Sequence, residues 1–161
     1  MAFSIELTTE RCVIRRFRAS DIEDFMLYRN DADWMRYQGF KCRSRAEYER
    51  TLLGDAPLEG GIQLAVVEIA SDRLIGDLYL KEEEDAYWVG YTVSPAYARQ
   101  GYAFETLGAL VAWCAQQGAT CVKAGVLPEN TASVGLLNKM GFQRAGMDQA
   151  GEEELYILPL A

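Results

Sequence analysis

Residues 88–105 read Trp-Val-Gly-Tyr-Thr-Val-Ser-Pro-Ala-Tyr-Ala-Arg-Gln-Gly-Tyr-Ala-Phe-Glu, and the fold turns on how they are read. An apolar strand pattern passes through a proline-marked turn into a small-residue loop, which opens directly on a helix. The first backbone N–H groups of a helix have no intrahelical partner, and the macrodipole places partial positive charge there, so a helix start attracts anions. Gly101 and Ala103 flank Tyr102 with almost no side chain, which lets a phosphate approach the backbone. The spacing is not Gly-x-Gly-x-x-Gly, and no Gly-Lys-Ser/Thr follows, so neither the dinucleotide fingerprint nor the Walker loop fits. From the loop alone, a phosphate site and an ordinary strand-to-helix turn stand as alternatives.

Outward from this stretch, elements alternate along the chain. Residues 12–17 read as a first strand. Ser20 with Glu23, and Ser44 with Glu47, have the spacing of capping boxes, which predicts helices running to about Arg29 and Leu53. Residues 62–69 and 74–80 read as strands joined by a hairpin turn, 81–85 as a charged, solvated turn, and 87–93 as the next strand. A helix from residue 101 to about 117 carries Ala103, Leu107, Leu110 and Cys114 on one face, and Gly118 ends it. A strand at 120–126 follows, then a short helix capped by Asn130 and closed by Gly141, then a last strand at 153–158 at a sheet edge or in an interface. Helices interleaved with strands, the middle ones joined by short turns, indicate one α/β or α+β domain over residues 1–161 with a mixed, mostly antiparallel sheet and helices on both faces.

Composition narrows the chemistry. The 161 residues contain no histidine, which removes every Ser-His and Cys-His nucleophile. Cys12, Cys42, Cys114 and Cys121 form no Cys-x-x-Cys pair, so no metal site is expected and reduced, cytoplasmic thiols fit best. A net charge of -8 argues against nucleic acid as a partner and mildly favours a cationic one. No apolar run is long enough to span a membrane, so no membrane partner is expected.

Three pieces in order resemble the GCN5-related N-acetyltransferase (GNAT) family, in its ribosomal-protein-acetyltransferase-like branch. They are Gly90-Tyr91-Thr92-Val93-Ser94-Pro95 with Gly101-Tyr102-Ala103-Phe104-Glu105; Asn130-Thr131-Ala132-Ser133 with Leu137-Asn138-Lys139-Met140-Gly141-Phe142; and the opening Leu7-Thr8-Thr9-Glu10-Arg11-Cys12-Val13-Ile14-Arg15. The resemblance implies a sheet splayed between two central strands, with acetyl-CoA as co-substrate in the gap and acetyl transfer to an amine. It implies that the backbone of Tyr91, Thr92 and Val93 pairs with the pantetheine arm. It implies that Ala98, Arg99, Gln100, Gly101, Tyr102 and Ala103 surround the pyrophosphate, with Arg99 either offering charge or simply solvated. Asn130 is implied beside the pantetheine, and it also reads as an N-cap. Ser133 is implied as the proton donor to the leaving thiolate, against a plain helical serine.

The base is harder to place. Relatives often carry Glu three residues before the tyrosine of the Gly-Tyr pair, and here that position is Trp88. Asp77, inside an apolar strand, reads either as a desolvated base or as a solvent-facing residue; proton relay by water is a further option. Trp34, Tyr37 and Phe40, preceded by Asp31 and Asp33, mark a candidate acceptor region. The acceptor is expected to be a small-molecule amine or a protein N-terminus, and homodimers are frequent in the family. A non-catalytic acyl-CoA-binding module is the alternative. Acceptor identity, acyl-chain preference and oligomeric state stay open.

Overall fold

The computed structural model describes residues 3–160. Eight strands form one sheet: β1 (Glu6–Thr8), β2 (Cys12–Arg16), β3 (Ile62–Glu68), β4 (Arg73–Glu83), β5 (Ala86–Val93), β6 (Cys121–Val126), β7 (Gln143–Met147) and β8 (Glu154–Pro159). The helices are α1 (Ile22–Arg29), α2 (Arg45–Leu52), α3 (Tyr102–Gln116) and α4 (Thr131–Lys139). Strand order is β1-β2-β3-β4-β5-β6-β8-β7, and only the β5–β6 pair is parallel.

Alternation along the strands sends side chains to two cores. In β3, Ile62, Leu64 and Val66 pack on one face with Leu107, Leu110 and Cys114 of α3 and Leu137 of α4. Ala65 and Val67 pack on the other with Ile22, Phe25 and Tyr28 of α1 and Tyr48 and Leu52 of α2. A register shift between Val66 and Val67 interrupts the pairing with β4, whose neighbours Leu74 and Ile75 fall in different cores. Gly76 follows, where a Cβ would lie 2.4 Å from the carbonyl oxygen of Thr92; only glycine lets β4 and β5 approach there.

Several sequence expectations are confirmed. Ser44 accepts from the Glu47 N–H at 3.2 Å as the first bond of its capping box. Asn130 caps α4 through the Ser133 N–H. Gly118 and Gly141 have φ of +85° and +96° beyond the ends of α3 and α4. Others are corrected. Ser20 caps nothing; a 3-10 turn precedes α1, and Asp21 accepts from the Arg18 N–H at 2.7 Å while pairing with Arg15. The expected charged turn shrinks to Glu84 and Asp85, because Lys81 and Glu82 continue β4 opposite Trp88 and Tyr87. The last strand is no edge: β8 lies between β6 and β7. Two strands have no counterpart in the sequence pattern: β1 is three residues long, and β7 is polar, exposed and broken by Gly146.

Candidate active site

β5 and β6 pair only at Ala86–Cys121, Tyr87–Val122 and Trp88–Lys123. Beyond Trp88 the strands diverge, and the sheet opens between residues 89–93 and 124–126. Two pockets meet at this opening, and both touch Gln38, Tyr91 and Thr92.

The larger cavity, about 460 Å³, is walled by the end of β5, the following loop, the first turn of α3 and one face of α4. Tyr91, Thr92, Val93, Ala98, Arg99, Gly101, Tyr102, Ala103, Asn130 and Ser133 all line it, so the structure brings nearly all of the expected site residues together. Gln100 stays out, its amide donating to the Ala96 carbonyl at 3.2 Å. Gly101 is the N-cap of α3 at φ +84°, a backbone state that favours glycine. The first bond into α3 runs from the Glu105 N–H to the Gly101 carbonyl at 3.0 Å, which leaves the N–H groups of Tyr102, Ala103 and Phe104 without helix partners. Lys139, over the ring of Phe104, and Arg99 add positive charge to the rim.

The first turn of α3 is pinned from behind. Glu105 accepts from the Thr9 hydroxyl at 2.6 Å, the Arg11 N–H at 2.9 Å and Arg11 Nε at 2.7 Å. The same guanidinium lies 3.9 Å from the centroid of the Tyr102 ring, whose hydroxyl donates to Glu68. Burial pushes the Glu105 carboxyl up, but these donors outweigh it and hold the group below its ordinary range. Glu105 is thus an ion-pair partner of Arg11.

Trp34 and Tyr37 wall the same cavity, and the Trp34 indole donates to the Val93 carbonyl at 2.8 Å. Phe40 packs against Phe25 and Tyr48 and lines the other pocket. Across the cavity, Asn130 Oδ1 accepts from the Ser133 N–H at 3.3 Å, and Ser133 is nearly buried beside Tyr91. Burial pushes the Tyr91 phenol up to about 12, with Ser133 pulling the other way; the two hydroxyls are neighbours without a well-formed bond.

The second pocket, about 340 Å³, lies against the α1 side of the sheet and is lined by Arg29, Gln63, Asp77, Tyr79, Trp88 and Glu153, among others. Asp77 does not face solvent, contrary to one sequence reading: it is 1% exposed, Oδ1 accepts from Arg29 Nη2 at 2.6 Å, and Oδ2 accepts from the Tyr28 hydroxyl. Arg29 goes on to hold the carbonyls of Gly39 and Phe40 and the hydroxyl of Thr92, joining the loop after α1 to β5.

Glu153 escaped the sequence reading, where it is the unremarked first residue of the last strand; in the structure that strand, β8, begins one residue later, at Glu154. It lies over the bare backbone of Gly125, where a Cβ would come within 3.0 Å of its carboxylate, and it lines both the second pocket and the narrow gap beside Ser133. Burial first, then Asp148 and Glu152, raises its carboxyl above the ordinary value. No local sequence signal marks it, because its neighbours come from β6 and the sheet opening.

Comparison with known proteins agrees with this geometry. Residues 11–143 match the acetyltransferase (GNAT) domain model. The uncharacterized N-acetyltransferase p20 of Bacillus licheniformis is 26% identical over 149 residues, 88% of this chain and 84% of that protein. Among solved structures, a GNAT-family acetyltransferase from Bacillus anthracis superposes with a TM-score of 0.83 at 23% identity, covering 96% of this chain and 98% of that one. RimL, a ribosomal L7/L12 alpha-N-protein acetyltransferase solved with coenzyme A, gives 0.83 at 18% identity over 97% and 98%. A splayed sheet with an anion-ready helix start at its mouth, and a family match over most of its length, place this chain in the GNAT acetyltransferase family as an N-acetyltransferase.

Proposed function

We propose that the chain transfers the acetyl group of acetyl-CoA to a primary amine, with the larger cavity holding the co-substrate and the smaller one the amine. The observation that carries this reading is the pair of pockets meeting at Tyr91 and Thr92, one headed by the start of α3 and the other containing a carboxylate. The residues fit a CoA thioester. Gly101 leaves open the space a side chain would fill, the only atom near its Cβ position being Arg11 Nη2 at 3.5 Å, and three partnerless N–H groups stand beside it for a diphosphate. RimL, with the same fold, was solved with coenzyme A, which supports the assignment.

Acetyl-CoA supplies an activated acyl carbon with a thiolate leaving group. The chain's own residues meet the remaining needs. Glu153, with its raised carboxyl, accepts the proton that an ammonium must lose before it can attack. Ser133 passes its hydroxyl proton to the departing sulfur and regains one from the nitrogen, which sheds its second proton as the adduct collapses, and the buried phenol of Tyr91 stays protonated behind it. Asn130 caps α4 and fixes Ser133 in place. Asp77 is a positioning residue: both its oxygens are taken, and through Arg29 it holds the loop that walls both pockets. The proposal includes a cytoplasmic location, the compartment of the thioester pool, and leaves room for a homodimer.

The test is thiol release from acetyl-CoA, with mass spectrometry of products, across an amine panel. Wild type is expected to acetylate at least one amine. Glu153→Gln should lower kcat by about 10²- to 10⁴-fold and remove the acidic limb of the pH–rate profile, at unchanged KM for acetyl-CoA. Tight acetyl-CoA binding with no transfer to any amine would instead establish a binding module.

A further inference from the structure

The acceptor-side pocket is lined by one basic and two acidic side chains that decide which amines fit: Arg29, Asp77 and Glu153. All five N–H groups of the Arg29 guanidinium are occupied. Nε meets Asp77 Oδ2 at 3.4 Å; Nη1 meets the carbonyls of Gly39 at 2.9 Å and Phe40 at 3.3 Å; Nη2 meets Asp77 Oδ1 at 2.6 Å and Thr92 Oγ1 at 3.2 Å. The side chain has no donor left for a ligand, and Asp77 cancels its charge. Lys123 lies over the Trp88 ring, 5.6 Å from its centroid, outside the lining. Glu153, by contrast, has no ion-pair partner among the described residues and stands beside Asp148 and Glu152. The pocket therefore offers one uncompensated negative charge, no available cation, and the aromatic walls of Tyr79, Trp88 and Phe40.

We infer that the acceptor is a cationic primary amine with no carboxylate beside the amine, and that free α-amino acids are excluded. This rests on the reading of the smaller pocket as the acceptor site. An amino-acid carboxylate would meet no donor on Arg29 and would stand a few ångströms from Glu153. Like charges at about 5 Å in a partly screened site cost on the order of a hundredfold in affinity. A decarboxylated amino acid and a peptide N-terminus share the permitted chemistry, since neither has a charged carboxylate next to its amine.

The experiment compares kcat/KM for phenylalanine, phenylalanine amide, 2-phenylethylamine and the dipeptide amide Phe-Gly-NH2, with leucine against leucine amide as a second pair. The expected result is that each carboxylate-free compound exceeds its amino acid by about a hundredfold, with phenylalanine amide grouped with the amines. Parity of phenylalanine with its amide would overturn the inference. The dipeptide amide outrunning the small amines assigns peptide N-termini as the source, and the reverse assigns small amines. Gln63→Arg, which puts a free guanidinium into the same pocket, should raise phenylalanine turnover at least tenfold at unchanged acetyl-CoA KM. No gain in that folded variant would count against the electrostatic account. Thiol release at the buffer rate with every compound would strike the acetyl-transfer reading itself, a different failure from turnover without discrimination.

Discussion

Replacing Asp77 by asparagine separates a structural carboxylate from a catalytic one. The Arg29–Asp77 pair is almost wholly buried, with side chains 4% and 1% exposed. The neutral amide would leave the guanidinium charged and without its counter-charge, and would weaken the acceptor for the Tyr28 hydroxyl. Breaking a buried pair by removing one partner costs about 3–5 kcal/mol. That is a large share of the roughly 5–15 kcal/mol that holds a domain together. At about 2–4 °C per kcal/mol for a chain of this size, the melting temperature should fall by on the order of 10 °C. Acetyl-CoA KM and kcat, measured well below the new transition, should change far less than the 10²- to 10⁴-fold expected on losing a base. Calorimetry and urea unfolding give the first quantity, and thiol release gives the second. Removing Arg29 as well, in Arg29→Met/Asp77→Leu, should cost less than the sum of the single variants by about 2–3 kcal/mol. A thermally silent Asp77→Asn that loses kcat a thousandfold would refute the positioning role and restore Asp77 as a base. Additive single and double variants would refute the coupling.

Gly101→Val forces a β-branched residue to φ +84° and crowds the start of α3; acetyl-CoA KM should rise at least tenfold with a smaller change in kcat, as read from steady-state kinetics. Gly76→Ala places a Cβ 2.4 Å from the Thr92 carbonyl oxygen, so β4 and β5 must part, at about 1–3 kcal/mol in urea unfolding. The Glu105 carboxyl lies below its ordinary value when folded, so its stabilising contribution is present above the unfolded pKa and is lost as pH falls through the folded one. Glu105→Gln should therefore flatten the acid side of the stability–pH curve, leaving wild type and variant to converge at low pH; parallel curves would contradict this.

Much of the fold is visible in local patterns. The alternation of β3, the capping box at Ser44, the Asn130 cap and the glycines that stop α3 and α4 all act within a few residues of one another. The polar edge strand β7 and the three-residue β1 carry no such pattern, because their stability comes from pairing with β8 and β2. Lys81 and Glu82 look like a turn by charge, yet they extend a strand because Trp88 and Tyr87 stand opposite.

The site divides along the same line. The corner proposed to hold the diphosphate is written into residues 98–105, since a left-handed glycine followed by a helix start is a short-range consequence of the chain there. Composition alone also rules out a catalytic histidine. The state of each carboxylate, in contrast, is a matter of tertiary packing. Asp77 and Glu153 differ little as residues, but one is brought against Arg29 and Tyr28 across the sheet, and the other is left over Gly125 beside acidic neighbours. The charge and basicity of a carboxylate depend on burial and on partners distant in sequence, and the chain acquires both only when β4, β6 and the turn before β8 close around the opening in the sheet.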